Sequence, residues 1–210
     1  MIMSMQRTCN TLSFRANTSR TAPAPDFVRR RSRNALYRRV LELAGDRIDH
    51  IAWDVIPDMA EIVVRERLRE IEAEYYLLLN SDMEVTPGWL EPLMAHMEEH
   101  PGCGACMPRI RDINDRSRFE YAGAAGGYLD RFGYAFCRGR IFDHLEEDHG
   151  QYMQQAPVFW ASGACMLVRA EAYRKAGELD QAFFAHMEEI DLCWRMQHEG
   201  YGISVVPDSL

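Results

Sequence analysis

The densest apolar stretch of the chain is Tyr75-Tyr76-Leu77-Leu78-Leu79, five positions without a polar break, ending abruptly in Asn80-Ser81-Asp82. A run of that length without alternation is expected of a strand buried on both faces, as in a parallel sheet covered by helices. Upstream, Leu36, Val40, Leu41 and Leu43 have helical spacing and residues 48–55 read as a strand. Residues 59–71 read as a second helix with Ile62, Val63 and Leu68 on its apolar side and a solvated charge run opposite. Helix, strand, helix and buried strand together predict a βαβ unit. Downstream, residues 89–100 form a helical pattern with Leu90, Leu93, Met94 and Met97 inward, stopped by Pro101-Gly102, and residues 103–110 fit the next strand. Residues 111–160 hold few helix or strand signals but many Gly and aromatic residues, the pattern of a long functional loop. A buried strand up to Val168, a short helix ending near Gly177 and a helix opening at the acid-rich segment around Glu188 complete the reading.

Charge changes this picture at one end. Residues 1–40 hold nine Arg against one acid, Asp26, an excess of +8 that leaves −16 on the rest of a chain whose net charge is −8. This basic segment lacks hydrophobic periodicity, and residues 1–35 are expected to be a disordered tail, with residues 36–210 as the folded unit. Its arginines are compatible with contact to anionic lipid. The acidic remainder excludes general electrostatic attraction to nucleic acid. No apolar run reaches the roughly 18 to 20 residues that span a bilayer.

Candidate chemistry lies at three places. A carboxylate just past the end of a central parallel strand sits where open α/β sheets bind ligands, which singles out Asp82, although the same exit also reads as an ordinary polar turn. In Trp160-Ala161-Ser162-Gly163-Ala164, Gly163 lets the chain pass close to a ligand. Glu188, Glu189 and Asp191 put three acids in four residues at a helix start. There they favour the helix dipole by about 0.3 to 1 kcal/mol, and Asp191 can pair with Arg195 at i,i+4. Crowded carboxylates also raise one another's proton affinity, which poises a general base. Arg131, Arg138 and Arg140 could pair with phosphate. Cys103 and Cys106 have the spacing of half a zinc site, but no second pair accompanies them among the six cysteines, so buried reduced thiols are expected.

Three stretches taken in order, LNSDMEVTPGWLEPL, FEYAGAAGGYLDRFGYAFCRGRIF and the segment through HMEEIDLCWR, resemble glycosyltransferase family 2, and in particular its bacterial rhamnosyltransferase-like subset. The resemblance covers about residues 73–210 and implies an α/β fold of GT-A type with a central, mostly parallel sheet flanked by helices. It implies inverting transfer of a sugar from a nucleotide-diphosphate sugar to a hydroxyl of a glycan or lipid-linked acceptor, in a cytoplasmic chain with peripheral contact to the inner face of the membrane. Asn80, Ser81 and Asp82 occupy the family's metal-binding triplet, with Asp82 as the contact to Mg²⁺ or Mn²⁺. Glu189 takes the place of the base, beside Glu188, with Asp191 as a structural or acceptor contact. Trp160, Gly163, Ala164 and His186 fall on the substrate side. The family's first strand and nucleotide loop find no match before Glu74, and its His-containing segment past VVPDS is not reached. The alternatives are a catalytically silent chain that acts by binding, and a small zinc protein built on Cys103 and Cys106.

Overall fold

The computed structural model describes residues 9–14, 48–53, 68–69, 73–80, 83–121, 123–180, 182–183 and 187–209. The central strand is β3, Tyr75–Asn80, buried at every position. Its two edges are taken by β1, Cys9–Phe14, and by β10, Cys165–Arg169. β2 is Ile48–Trp53, β4 Cys103–Pro108, β9 Ala156–Pro157 and β11 Gly202–Val206. These form a seven-stranded sheet in the order β2-β1-β3-β10-β4-β11-β9. Three helices are described in full: α1 Leu90–Glu99, α2 Ala170–Lys175 and α3 Glu188–His198.

The α/β character expected from the sequence holds, but the sheet is mixed rather than mostly parallel. β4 and β11 run parallel, and the other described pairings of this sheet are antiparallel. β2 and β3 are both antiparallel to β1 and so run in the same direction, as a βαβ unit requires, with β1 inserted between them. An apolar run records that both faces of a strand are covered; it does not record the direction of its neighbours. β1 lies inside the stretch whose composition predicts a tail, yet Leu12 and Phe14 alternate with Thr11 and Ser13 in the pattern of a half-buried strand. The expected helix at 36–43 lies outside the described residues, as does most of the one at 59–71, of which residues 68–69 are helical.

Residues 111–160, expected as a loop, contain a second antiparallel sheet of four short strands: β5 Gly127–Leu129, β6 Ala135–Cys137, β7 Arg140–Ile141 and β8 His144–Leu145. Strands of two or three residues are too short for alternation to register.

Arg169, at the junction of β10 and α2, joins the layers. Its Nη2 donates to Met97 O at 2.6 Å, Nε to Cys103 O at 3.0 Å and Nη1 to the Tyr75 hydroxyl at 3.2 Å. A carbonyl at the end of α1 thus receives a cationic donor, as helix C-termini favour.

His96 on the buried face of α1 stacks on His100 with ring centroids 4.3 Å apart and contacts Gln155 Oε1 through Nδ1 at 3.2 Å. Burial first, and His100 second, hold its pKa below the ordinary 6.5. The unfolded chain therefore binds a proton there before the folded one does, so stability is lost as pH falls below about 6.5. Urea midpoints at about pH 7.5 and about pH 5.5 should differ for the parent protein, and the difference should shrink in His96→Leu.

Candidate functional site

The site begins where β3 runs out. Asn80, buried, donates its backbone N–H to Ala164 O at 2.9 Å, and its carbonyl accepts from Met83 N at 3.3 Å. Leaving a strand enclosed on both edges exposes a backbone donor that must find a partner, and the loop ahead of β10 supplies one. Inside that loop the Ser162 hydroxyl accepts from Ala164 N at 3.2 Å, while Cys165 N donates to Ser162 O at 3.2 Å. The loop is in turn held on α3. Ala161 N lies 3.5 Å from Cys193 Sγ, and the Gln197 side chain donates to Phe159 O at 2.8 Å.

This arrangement brings Gly163 against Glu189. A Cβ on Gly163 would lie 3.7 Å from Glu189 Cβ, so the missing side chain leaves room directly over the carboxylate stem. Glu189 is buried, 8% exposed, in the first turn of α3. Two thiols feel its charge. Burial above all pushes Cys137 and Cys193 up to about 12, and the Glu189 carboxylate adds to the rise. Both are therefore neutral at physiological pH and offer no thiolate to compete as nucleophile or soft metal ligand.

The other acids of the cluster sit differently. Asp191 holds Arg195 at 2.6 and 2.9 Å, and Arg195 also donates to Ala176 O, so this carboxylate pins α3 to the end of α2. Glu188 is half-buried. Trp160 is locked beneath β5. Its indole N–H donates to Tyr128 O at 3.0 Å, and a Cβ on Gly127 would fall about 2.0 Å from the ring, so only glycine fits there. Asn80, Gly163, Ala164 and Glu189 are thus brought together, while Trp160 braces the loop from the meander side. Ser81, Asp82 and His186 lie outside the described residues.

Two of the three arginines considered for phosphate are held on backbone carbonyls, and the third, Arg131, is exposed and stacks on a neighbouring ring. Arg138 Nε donates to Ala125 O at 3.0 Å and Arg140 Nε to Phe142 O at 2.7 Å; the Arg131 guanidinium lies 4.5 Å over the Phe132 ring. The two cysteines of the half zinc site are buried, Cys103 donating to Ala105 O and Cys106 to Leu93 O, with both pKa values raised chiefly by burial. Among the described residues no group of three or more His, Cys, Asp or Glu could hold a metal ion.

Sequence reasoning missed two features. Ser162 is the turn residue that presents Ala164 to Asn80. Asp148 accepts from Arg109 and, at 2.7 Å, from Arg111 Nε, with side chains of Asp148 and Arg109 only 1% and 7% exposed. Burial alone would raise the Asp148 pKa, but the Gly150 N–H and the two arginines hold it below the usual carboxylate range. The signal was present in the Arg109/Arg111 alternation, though its partner lies 37 and 39 residues on.

The profile of Glycosyl transferase family 2 matches residues 64–177. The N-acetylglucosaminyl-diphospho-decaprenol L-rhamnosyltransferase of Mycobacterium tuberculosis is 27% identical over 140 residues, covering 65% of this chain and 45% of that protein. Rhamnosyltransferase WbbL of Escherichia coli K12 is 25% identical over 150 residues, covering 71% and 56%. The chain thus spans about half the length of these curated relatives. Among solved structures, GalNAc-T7 with UDP, GalNAc and Mn²⁺ superposes with a TM-score of 0.53 at 13% identity, over 73% of this chain and 30% of that one. That likeness concerns the fold, which is α/β of GT-A type.

Because Asp148 is a buried charge shared by two arginines, Asp148→Ala should lower unfolding free energy by about 3 to 5 kcal/mol, since Arg109 is then left buried without its partner. Urea denaturation measures this, and Asp148→Leu combined with Arg109→Met should recover part of the loss.

Proposed function

Since the chain belongs to glycosyl transferase family 2, we propose that it serves the transfer of a sugar from a nucleotide-diphosphate sugar to a hydroxyl of a glycan or lipid-linked acceptor, with inversion. The observation that carries this reading is the convergence of the β3 exit, the Gly163 loop and the buried Glu189 carboxylate on one place. Glu189 is the general base, taking the acceptor hydroxyl proton as the oxygen attacks the sugar's anomeric carbon from the face opposite the departing diphosphate. Gly163 leaves space for the acceptor over the carboxylate. Glu188 is the neighbour of Glu189 in the chain, His186 is assigned to the acceptor side by the family resemblance alone, and Asp191 fixes the helix through Arg195.

The donor's diphosphate is assigned to the turn after β3, at Asn80, Ser81 and Asp82. The donor set there is hard oxygen, which suits Mg²⁺ or Mn²⁺ and not a thiolate-seeking ion. Asp82 would hold the ion, which when bound offsets the negative charge of the leaving diphosphate. The relative from M. tuberculosis is named for a diphospho-decaprenol acceptor, and this supports a lipid-linked acceptor here. No helix among the described residues is long and apolar enough to cross a membrane. The setting proposed, in keeping with a lipid-linked acceptor, is peripheral contact at the inner face of the membrane, in polysaccharide synthesis.

Glu189→Gln keeps size and hydrogen bonding but cannot accept the proton, so it should lower turnover by about 10²-fold or more with donor affinity nearly unchanged. Asp191→Asn should act on thermal stability instead. Steady-state kinetics with a nucleotide-sugar and a polyprenyl-linked acceptor separate the two, and equal kinetic effects would remove Glu189 from the role of base. Asp82→Ala should abolish the metal dependence of nucleotide-diphosphate binding in calorimetric titration. Equal affinity with and without metal in the parent protein would take the ion away from this turn.

A further inference from the structure

Four side chains, Phe142, Tyr134, Phe132 and Ile141, are the most exposed large apolar groups among the described residues, at 86%, 73%, 70% and 61%. All belong to the β5–β6 and β7–β8 connections or their flanks. In an antiparallel meander ordered β5-β6-β7-β8, the first and third turns leave the sheet at the same end. The opposite end is rooted in the protein: Cys137 is buried, and a Cβ on Gly139 would lie 2.7 Å from the Phe119 ring. The small sheet is thus anchored at one end and presents four apolar side chains at the other.

Much of the backbone of these tips is paired from within. Asp130 Oδ1 accepts from Phe132 N at 2.8 Å and Tyr134 N at 2.9 Å, Asp130 N donates to Tyr134 O at 2.9 Å, and Phe142 O accepts from Arg140. A segment entering a medium without hydrogen-bonding partners needs such internal pairing, whereas a loop that binds protein can take donors and acceptors from its partner. Phe142 also adopts φ +51°, a left-handed conformation unfavourable for a bulky residue, and still holds its ring outward. Arg131, over the Phe132 ring, places a cation beside the tips at the level where lipid phosphates lie when aromatic rings enter the interface.

We infer that the paired tips of β5–β6 and β7–β8 form a membrane-docking edge whose partner is a phospholipid bilayer surface. Phe132, Tyr134, Ile141 and Phe142 enter the interface, and Arg131 faces the phosphates. The inference deepens the peripheral-contact reading above by naming the surface, and its test involves no transferase activity.

The 210-residue protein is sedimented with vesicles of phosphatidylcholine and phosphatidylglycerol in about 1 M NaCl, where the Debye length is about 3 Å and binding through the arginines of residues 1–40 is screened. The parent should remain bound, and Phe132→Ser with Phe142→Ser should lower the partition coefficient by at least about tenfold, given the apolar area removed. An unchanged melting temperature establishes that the exposed positions do not act through folding, and Tyr134→Ser with Ile141→Ser provides a second pair. Double variants that bind like the parent would overturn the assignment of this surface while leaving peripheral contact standing. A parent that does not bind at this salt would likewise overturn the assignment of this surface, while contact through the arginines of residues 1–40, screened under these conditions, would be left standing. A parent dimer in sedimentation velocity that the double variant abolishes would give the edge to a second copy of the chain and equally overturn the inference.

Discussion

The structure depends on one backbone constraint. β3 is covered on both faces and both edges, so its amides are spent on β1 and β10 until the chain leaves the sheet at Asn80. Asn80 still lies opposite Cys9 of β1, but on its other edge its N–H falls one rung past the last β10 pair, Cys165–Leu79, and left unpaired it would cost on the order of 1–3 kcal/mol. Ala164 O removes that cost, and in doing so fixes the loop ahead of β10 against the strand exit. Gly163 adjoins Ala164, and α3 is fastened to the same loop through Cys193 and Gln197. The position of Glu189 therefore follows, in three steps, from the need to pair one amide.

The acids of α3 illustrate how burial separates roles that sequence alone leaves equal. A helix N-terminus stabilises a nearby carboxylate by about 0.3 to 1 kcal/mol, whereas removing such a charge from water costs several kcal/mol. Asp191 avoids most of that cost by staying partly solvated and paired with Arg195. Glu189 is nearly closed off from solvent beside Gly163, and its charge adds to the burial-driven rise in the pKa of Cys137 and Cys193. A carboxylate that faces a glycine and that solvent barely reaches fits the proposed role of base better than Asp191, whose charge is taken by Arg195.

What the sequence made legible was whatever rests on long, uniform patterns. The Tyr75–Leu79 run, the 3.6-residue spacing of α1 and the acid cluster opening α3 each became the expected element. Strand direction was not legible, because β10 and β3 are equally apolar whether they run together or opposed. β1 was hidden by its surroundings: a six-residue alternation carries little weight inside an arginine-rich stretch, yet two sheet edges wait to pair with it. The meander escaped for the opposite reason, its strands being set by turns and glycines such as Gly127 and Gly139, whose missing side chains admit Trp160 and Phe119. At the site, the meeting of Gly163 and Glu189 joins motifs 26 residues apart, and neither local pattern carries information about the other.

The anchoring of residues 111–160 follows the same logic in polar form. A segment with such short strands has little cross-strand pairing of its own and leans on residues such as Phe119, Cys137 and Trp160 packed into the core. Arg109, just past β4, and Arg111 also meet Asp148 beyond the meander, closing the excursion with a buried ion pair. Such a pair contributes little net stability compared with apolar packing of the same volume, because desolvation of the charges offsets their attraction. Its value here is positional. An apolar contact tolerates sliding, whereas a carboxylate shared by two guanidiniums and the Gly150 N–H accepts few arrangements. Holding the segment in this way keeps Gly127 against the Trp160 ring, and so helps keep the 160–164 loop beside Asn80 and Glu189.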